Sequence, residues 1–300
     1  MGGSASYRLA KKIARALQNG APQSEIDELE QQRQAAKEVE RQKRLTAKQP
    51  KEKSFWDKIN DAQTKEDLRS VLIEKYGETN VAKGFTENHD LQMIKRALNT
   101  ISELEERYPF MQGAINGFHY IVDPGGTTAA EIKSTFSGAT GETRQTFGLG
   151  VHFSKVDDPK LFSGAERGFD IPNMTPESVV AHEFGHAIHN YLLGRMLKDA
   201  KKKGFFDTYN MMDDIRKSKT LQRLEKEAKK SIGYKKALPS FRHEISGYAS
   251  DAKSYGGSPT KEAFAEAFAD IYTNKDNASE VSKAYVKVLL DEIDRLGYGG

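Results

Sequence analysis

Residues 179–189 read VVAHEFGHAIH. This apolar stretch holds two histidines four residues apart, His182 and His186, with Glu183 directly after the first. On a helix, positions four apart lie on one face, a turn along, so both imidazoles can reach a single ion. Glu183 stands about 100° further round. It can contact a water on that ion without being a ligand, which is the layout that metal-assisted hydrolysis needs. Thr175 suits the N-cap and Pro176 the first helical position, while Val179, Val180, Ala187, Ile188 and Leu192 supply apolar neighbours. Gly194 is the expected end of this helix. Gly185 sits mid-helix, where it costs about 1 kcal/mol relative to Ala, and it admits close approach by another backbone. His189, three residues beyond His186, is offset from the ligand face and reads as structural.

Catalytic zinc takes three protein ligands and leaves one position open. The chain has no cysteine, so any metal must be held by His, Asp or Glu. The extended pattern HExxHxxGxxH is absent, because Leu192 stands where its last histidine belongs. The third ligand must come from elsewhere. The best source is SYGGSPTKEAFAEAFADIY, residues 254–272, with Ser258 and Pro259 as a second N-cap and first-turn proline. Glu262, Glu266 and Asp270 then fall at i, i+4 and i+8, on one face of a helix otherwise rich in Ala and Phe. Such a helix belongs in a core, where a bare carboxylate costs several kcal/mol unless it is paired or metal-bound. Two registers are open. Glu262 binds the metal while Glu266 orients a ligand histidine, or Glu266 binds while Asp270 stands behind it.

Together, HEFGHAIHNY and SYGGSPTKEAFAEAFADIY resemble the metallopeptidase domain of anthrax lethal factor, relatives of which also occur in phage minor head proteins and polymorphic toxins. The resemblance spans roughly residues 110–275. It implies a zincin-like α+β fold of the gluzincin type and zinc-dependent endopeptidase activity on a polypeptide. It further implies one zinc ion per chain on His182, His186 and Glu262, with Glu183 as general base. By the same resemblance Tyr255, seven residues before Glu262, donates its hydroxyl to the oxyanion, where negative charge develops. Tyr248, in ISGYAS, is the rival donor. The resemblance does not reach residues 1–80 and implies no substrate class. Its relatives suggest two alternatives, a phage-associated structural or head-docking protein that keeps the fold, and a toxin or effector protease.

The rest of the chain sets the frame. Charged residues make up 30% of the 300 and mean hydropathy is -0.69, so part of the chain is expected to be solvated helix. A net charge of +3 is too balanced to argue for nucleic acid. No apolar run approaches the roughly 20 residues of a membrane span, and no apolar core of a secretory signal is seen. A cytoplasmic or virion-associated location is the expectation. Residues 1–54 are expected to form a polar helical arm, suited to docking on a phage or other large assembly, with an exposed helix or weak coiled coil over 24–53. Residues 55–108 read as a helical scaffold region. One helix there is capped by Thr64, carries Leu68, Val71, Leu72 and Tyr76, and stops at Gly77. A second carries Leu91, Ile94, Leu98, Ile101 and Leu104, with Pro109 beyond its end. Residues 109–300 read as the zincin-like domain. Its small mixed or antiparallel sheet comes from GFHYIVDP and RQTFGLGVHFSK, with loops between, and helices follow a loop over 157–173. Residues 146–154 are the expected edge strand for an extended peptide, with Gly148 and Gly150 leaving room and His152 as a structural strand residue.

Overall fold

The computed structural model describes residues 5–48, 53–122, 128–150, 153 and 170–299. His152, and most of the loop expected over 157–173, lie outside the described residues. The chain divides into two compact units, Met1–Ser54 and Phe55–Gly300.

The first unit is a helical hairpin of α1 (Ala5–Gln18) and α2 (Gln23–Lys48), turning at Gly20 with φ 67°. Its few large apolar residues allow only a small interior, in which Ile13 and Ile26 are buried. At the open end the Ser6 amide and hydroxyl both donate to the Glu40 carboxylate, at 3.1 and 2.8 Å.

The second unit begins with α3 (Phe55–Asp61), α4 (Lys65–Tyr76), α5 (Lys83–Glu87) and α6 (Leu91–Arg107). The start of α4 is a capping box in which Thr64 and Asp67 satisfy each other's backbone amides, and Gly77 closes the helix with φ 83°. From sequence, residues 55–108 read as a helical scaffold region in front of 109–300. In the structure they share one core, in which Leu68, Phe85, Ile94 and Ile101 cluster with Phe118, Phe147, Phe184 and Phe268. The reason is the wide apolar stripe of α6, which packs against the metal-motif helix.

The sheet has three strands: β1 (Gly117–Tyr120), β2 (Ala130–Phe136) and β3 (Thr143–Leu149), in the order β1-β3-β2. It is mixed, β1 running parallel to β3 and β2 antiparallel to it, with Phe118 and Ile132 both opposite Phe147. This corrects the expectation for residues 146–154. Residues 146–149 of that stretch belong to the central strand, whose backbone already pairs on both sides and offers nothing to a peptide. The glycines there serve internal packing: a Cβ on Gly148 would collide with the His119 ring, and one on Gly150 with the Thr128 carbonyl. The edge next to the metal helix is β2, a strand that the polar sequence AEIKSTF conceals.

The remainder is helical: α7 (Pro176–Lys203), α8 (Phe205–Lys217), α9 (Lys219–Ser231), α10 (Leu238–His243), α11 (Gly247–Asp251), α12 (Pro259–Asn274) and α13 (Glu280–Arg295). A small mixed sheet among many helices makes the fold α+β. α7 does not stop at Gly194 but runs on to Lys203. Gly194 is there because Thr143 of β3 occupies the space a Cβ would need. Gly185 plays the same part on the other side, since a Cβ would lie 2.9 Å from Phe268 Cβ and 3.0 Å from Ala265 Cα of α12. α7 and α12 can therefore pack with their backbones close, which brings their polar faces together. Behind them a buried Glu225 ties four helices. It accepts from Arg242 at 2.5 and 2.8 Å, from Tyr285 at 2.5 Å and from Thr260 at 3.1 Å. Breaking such a pair by removing one partner costs about 3–5 kcal/mol.

Candidate metal centre

α7 starts as its sequence dictates. Thr175 caps it through a capping box with Ser178, and Pro176 takes the first position. Two turns in, His182 and Glu183 are buried and His186 is partly exposed. α12 crosses this face with Ser258 at its N-cap position, although the Ser258 side chain makes no capping bond.

His182, His186 and Glu262 come together so that one ligand atom of each lies within 4.8 Å of the others, a group that can hold a metal ion. Both histidine Nε2 atoms converge on the same oxygen, Glu262 Oε2, at 3.3 and 3.2 Å. Two imidazole nitrogens and one carboxylate oxygen are a donor set that suits zinc and other divalent transition ions. Glu266 is not part of this group. Its Oε1 meets the other ring nitrogen of His182, Nδ1, at 2.7 Å, the carboxylate–histidine contact that fixes a ligand ring's orientation. Asp270 has a third task. Its oxygens accept from Asn274 Nδ2 at 2.7 Å, Ser279 N at 3.0 Å and Ser282 Oγ at 2.6 Å, which caps the start of α13. The stripe of three carboxylates thus splits into a member of the possible metal group, a partner of His182 Nδ1 and a helix cap.

Glu183 lies between the His182–His186 pair and the sheet. Its Oε2 accepts the Ile132 amide of β2 at 2.7 Å, and its Oε1 lies 4.0 Å from His182 Nε2. A cavity of about 390 Å³ opens here, lined by Glu131, Ile132, Ser134 and Phe136 of β2, the His–Glu–His face of α7, and Tyr248, Lys261 and Glu262. Tyr248 is in this lining and its ring lies tilted against that of His182, with the centroids 6.3 Å apart. Tyr255 is 62% exposed and does not line the cavity. Its ring lies 6.1 Å from that of Tyr248. The structure thus brings Tyr248, not Tyr255, to the site.

The charges here are coupled. Burial alone lowers the His182 pKa, but its bonds with Glu262 and Glu266 outweigh this and hold it well above its usual value. Burial works to raise Glu262, yet the imidazoles of His186 and His182 keep it well below the carboxylate range. Burial pushes Glu183 up, partly offset by the same imidazoles and the Ile132 amide. Tyr248 is pushed up by burial and by the carboxylates Glu262, Glu266 and Glu183, so its hydroxyl keeps its proton at neutral pH. Asp170, ahead of α7, is raised to about 6 by burial and the charge of Glu266.

These directions fix how metal binding depends on pH. A ligand histidine must be neutral, whereas the metal-free fold favours protonated His182. The stabilisation from that pairing is complete below the unfolded value near 6.5 and fades as pH rises through the raised folded value. Metal affinity is therefore expected to climb from pH 6 to 8, with about one proton released per ion near pH 7. Calorimetric titration in buffers of different ionisation enthalpy measures this. Binding without proton release would contradict the pairing of His182.

β2, Asn190 and Lys261 were not expected at the site from sequence. The only signal was the alternation Ala130, Ile132, Ser134, Phe136, of which the last three face the cavity. Searches of protein-family models, of curated proteins and of solved structures found no match to this chain. Among the described residues no helix is long and apolar enough to cross a membrane.

Proposed function

We propose that the chain is a zinc-dependent endopeptidase with a zincin-like catalytic unit. The observation that carries this reading is the convergence of His182 Nε2 and His186 Nε2 on one Glu262 oxygen, with the Glu183 carboxylate between them and a sheet edge. His182, His186 and Glu262 would hold the ion. When bound, it supplies Lewis acidity, lowering the pKa of a water and polarising a carbonyl.

The chain's own residues supply the rest. Glu183, close to both imidazoles, takes the proton of the attacking water and passes it to the leaving amine. Its raised pKa brings it nearer the neutral range in which a general base works best. Tyr248, kept protonated, donates its hydroxyl to the carbonyl oxygen as negative charge develops. Glu266 orients His182 through Nδ1. The outer edge of β2, beside the Ile132 amide that Glu183 takes up, is suited to main-chain pairing with an extended polypeptide.

The test is metal analysis of the purified protein together with cleavage of a denatured protein, with and without a chelator. Stoichiometric zinc with chelator-sensitive cleavage is expected. Zinc without cleavage of any substrate would favour the alternative, a structural or docking protein that keeps the fold. The choice of donor is tested separately. Tyr248→Phe is expected to lower kcat about a hundredfold, while Tyr255→Phe leaves it within about twofold. The reverse outcome would return the role to Tyr255.

A further inference from the structure

We propose that the cavity selects polypeptides with an acidic side chain, Asp or Glu, beside the scissile bond, and that Lys261 is the residue that reads it. This rests on the endopeptidase reading above. The cavity continues past the metal group between the Ser134–Phe136 end of β2 and the turn of α7 that carries His189 and Asn190. Its polar wall is already committed: Asn190 Nδ2 donates to Ser134 Oγ at 2.8 Å, and Ser134 Oγ donates to Gln145 at 3.1 Å.

The charged groups around the cavity divide in two. Every carboxylate there has a partner. Glu131 is held by His119 at 3.0 Å and Lys133 at 2.7 Å, Glu183 by the Ile132 amide, and Glu262 by two imidazoles. Lys261 lines the same cavity one residue before Glu262, and among the described residues it makes no hydrogen bond or ion pair.

The position is costly for a lysine. Lys261 is in the first turn of α12, where the helix dipole disfavours positive charge. A local rule broken without a compensating contact inside the fold is characteristic of functional positions. Metal binding adds to the imbalance, because it takes up the charge of Glu262. A substrate carboxylate supplies the missing partner through a charge-assisted hydrogen bond. Phe136 offers its aromatic surface to the methylene stem of that side chain.

The experiment uses the zinc-loaded full chain and a library of unstructured peptides whose cleavage products are sequenced. Asp and Glu are expected to be enriched about tenfold at one position adjoining the cut. Lys261→Glu should invert this order in favour of Lys and Arg, with zinc content and thermal unfolding confirming an intact fold. Binding of library peptides to the zinc-loaded Glu183→Gln protein should follow the same order without turnover. Cleavage with no acidic enrichment, or an order unchanged in Lys261→Glu, overturns this inference and leaves the endopeptidase reading standing. Acidic preference in binding without any cleavage by the unaltered protein supports the subsite and overturns the endopeptidase reading. Neither cleavage nor binding overturns both.

Discussion

Glu183→Gln is expected to keep one zinc ion per chain and to lose peptide hydrolysis by about 10²–10⁴-fold. The amide has the shape of the carboxylate, and its oxygen can still accept the Ile132 amide, so β2 and α7 should stay in register. Glu183 is outside the group formed by His182, His186 and Glu262, so metal content should not fall. What is lost is the ability to take a proton from water. Metal analysis and initial cleavage rates measure the two effects separately. Hydrolysis at the unaltered rate by the zinc-loaded variant would show that another group is the base.

The second large effect separates Glu262 from Glu266. Glu262→Ala removes the oxygen on which both imidazoles converge, and is expected to weaken zinc binding about 10³-fold, a share of the total binding energy fitting one ligand among three. Glu266→Ala leaves the three donors in place and removes only the partner of His182 Nδ1. A loss of about 10–100-fold is expected there. The two variants should also differ in the pH dependence of the metal-free protein, because each carboxylate supports protonated His182 through a different ring nitrogen. Competition with a chromogenic chelator gives both affinities. A greater loss in Glu266→Ala would exchange the two roles.

Much of the site was legible in the chain. The i, i+4 spacing of His182 and His186 needs only helix geometry, and the caps at Thr175 and Thr64 are set by neighbouring residues. The same is true of the place of α4, α6 and α12, whose apolar or Ala/Phe-rich faces announce buried helices. Gly185 was also legible as a point of close approach, since a mid-helix glycine has no local advantage. Gly194 was misread as a helix stop because its reason for being small, Thr143, is some fifty residues away in the chain and invisible locally. β2 escaped notice for a related cause. As an edge strand with one face toward a polar cavity, it carries Glu131, Lys133, Ser134 and Thr135 and shows little of the apolar signature of a buried strand.

Taken by itself, the sequence determined two histidines on one helix face with a glutamate beside them, the exclusion of cysteine ligation and a helix bearing three carboxylates on one face. Those features follow from spacing along a single helix, which short-range geometry fixes. Only the tertiary structure decided which carboxylate does what: Glu262 meets both Nε2 atoms, Glu266 meets Nδ1, and Asp270 caps α13. It also moved the free sheet edge from residues 146–154 to β2 and the cavity-facing hydroxyl from Tyr255 to Tyr248. The sheet edge is decided by the strand order, which places β3 between β1 and β2; for the side chains the reason is local equivalence. Candidates a turn apart on one helix, or a few residues apart in one loop, are equivalent to any local rule. They become distinct only when the close packing of α7 against α12, allowed by Gly185, sets the depth at which each side chain meets its partner.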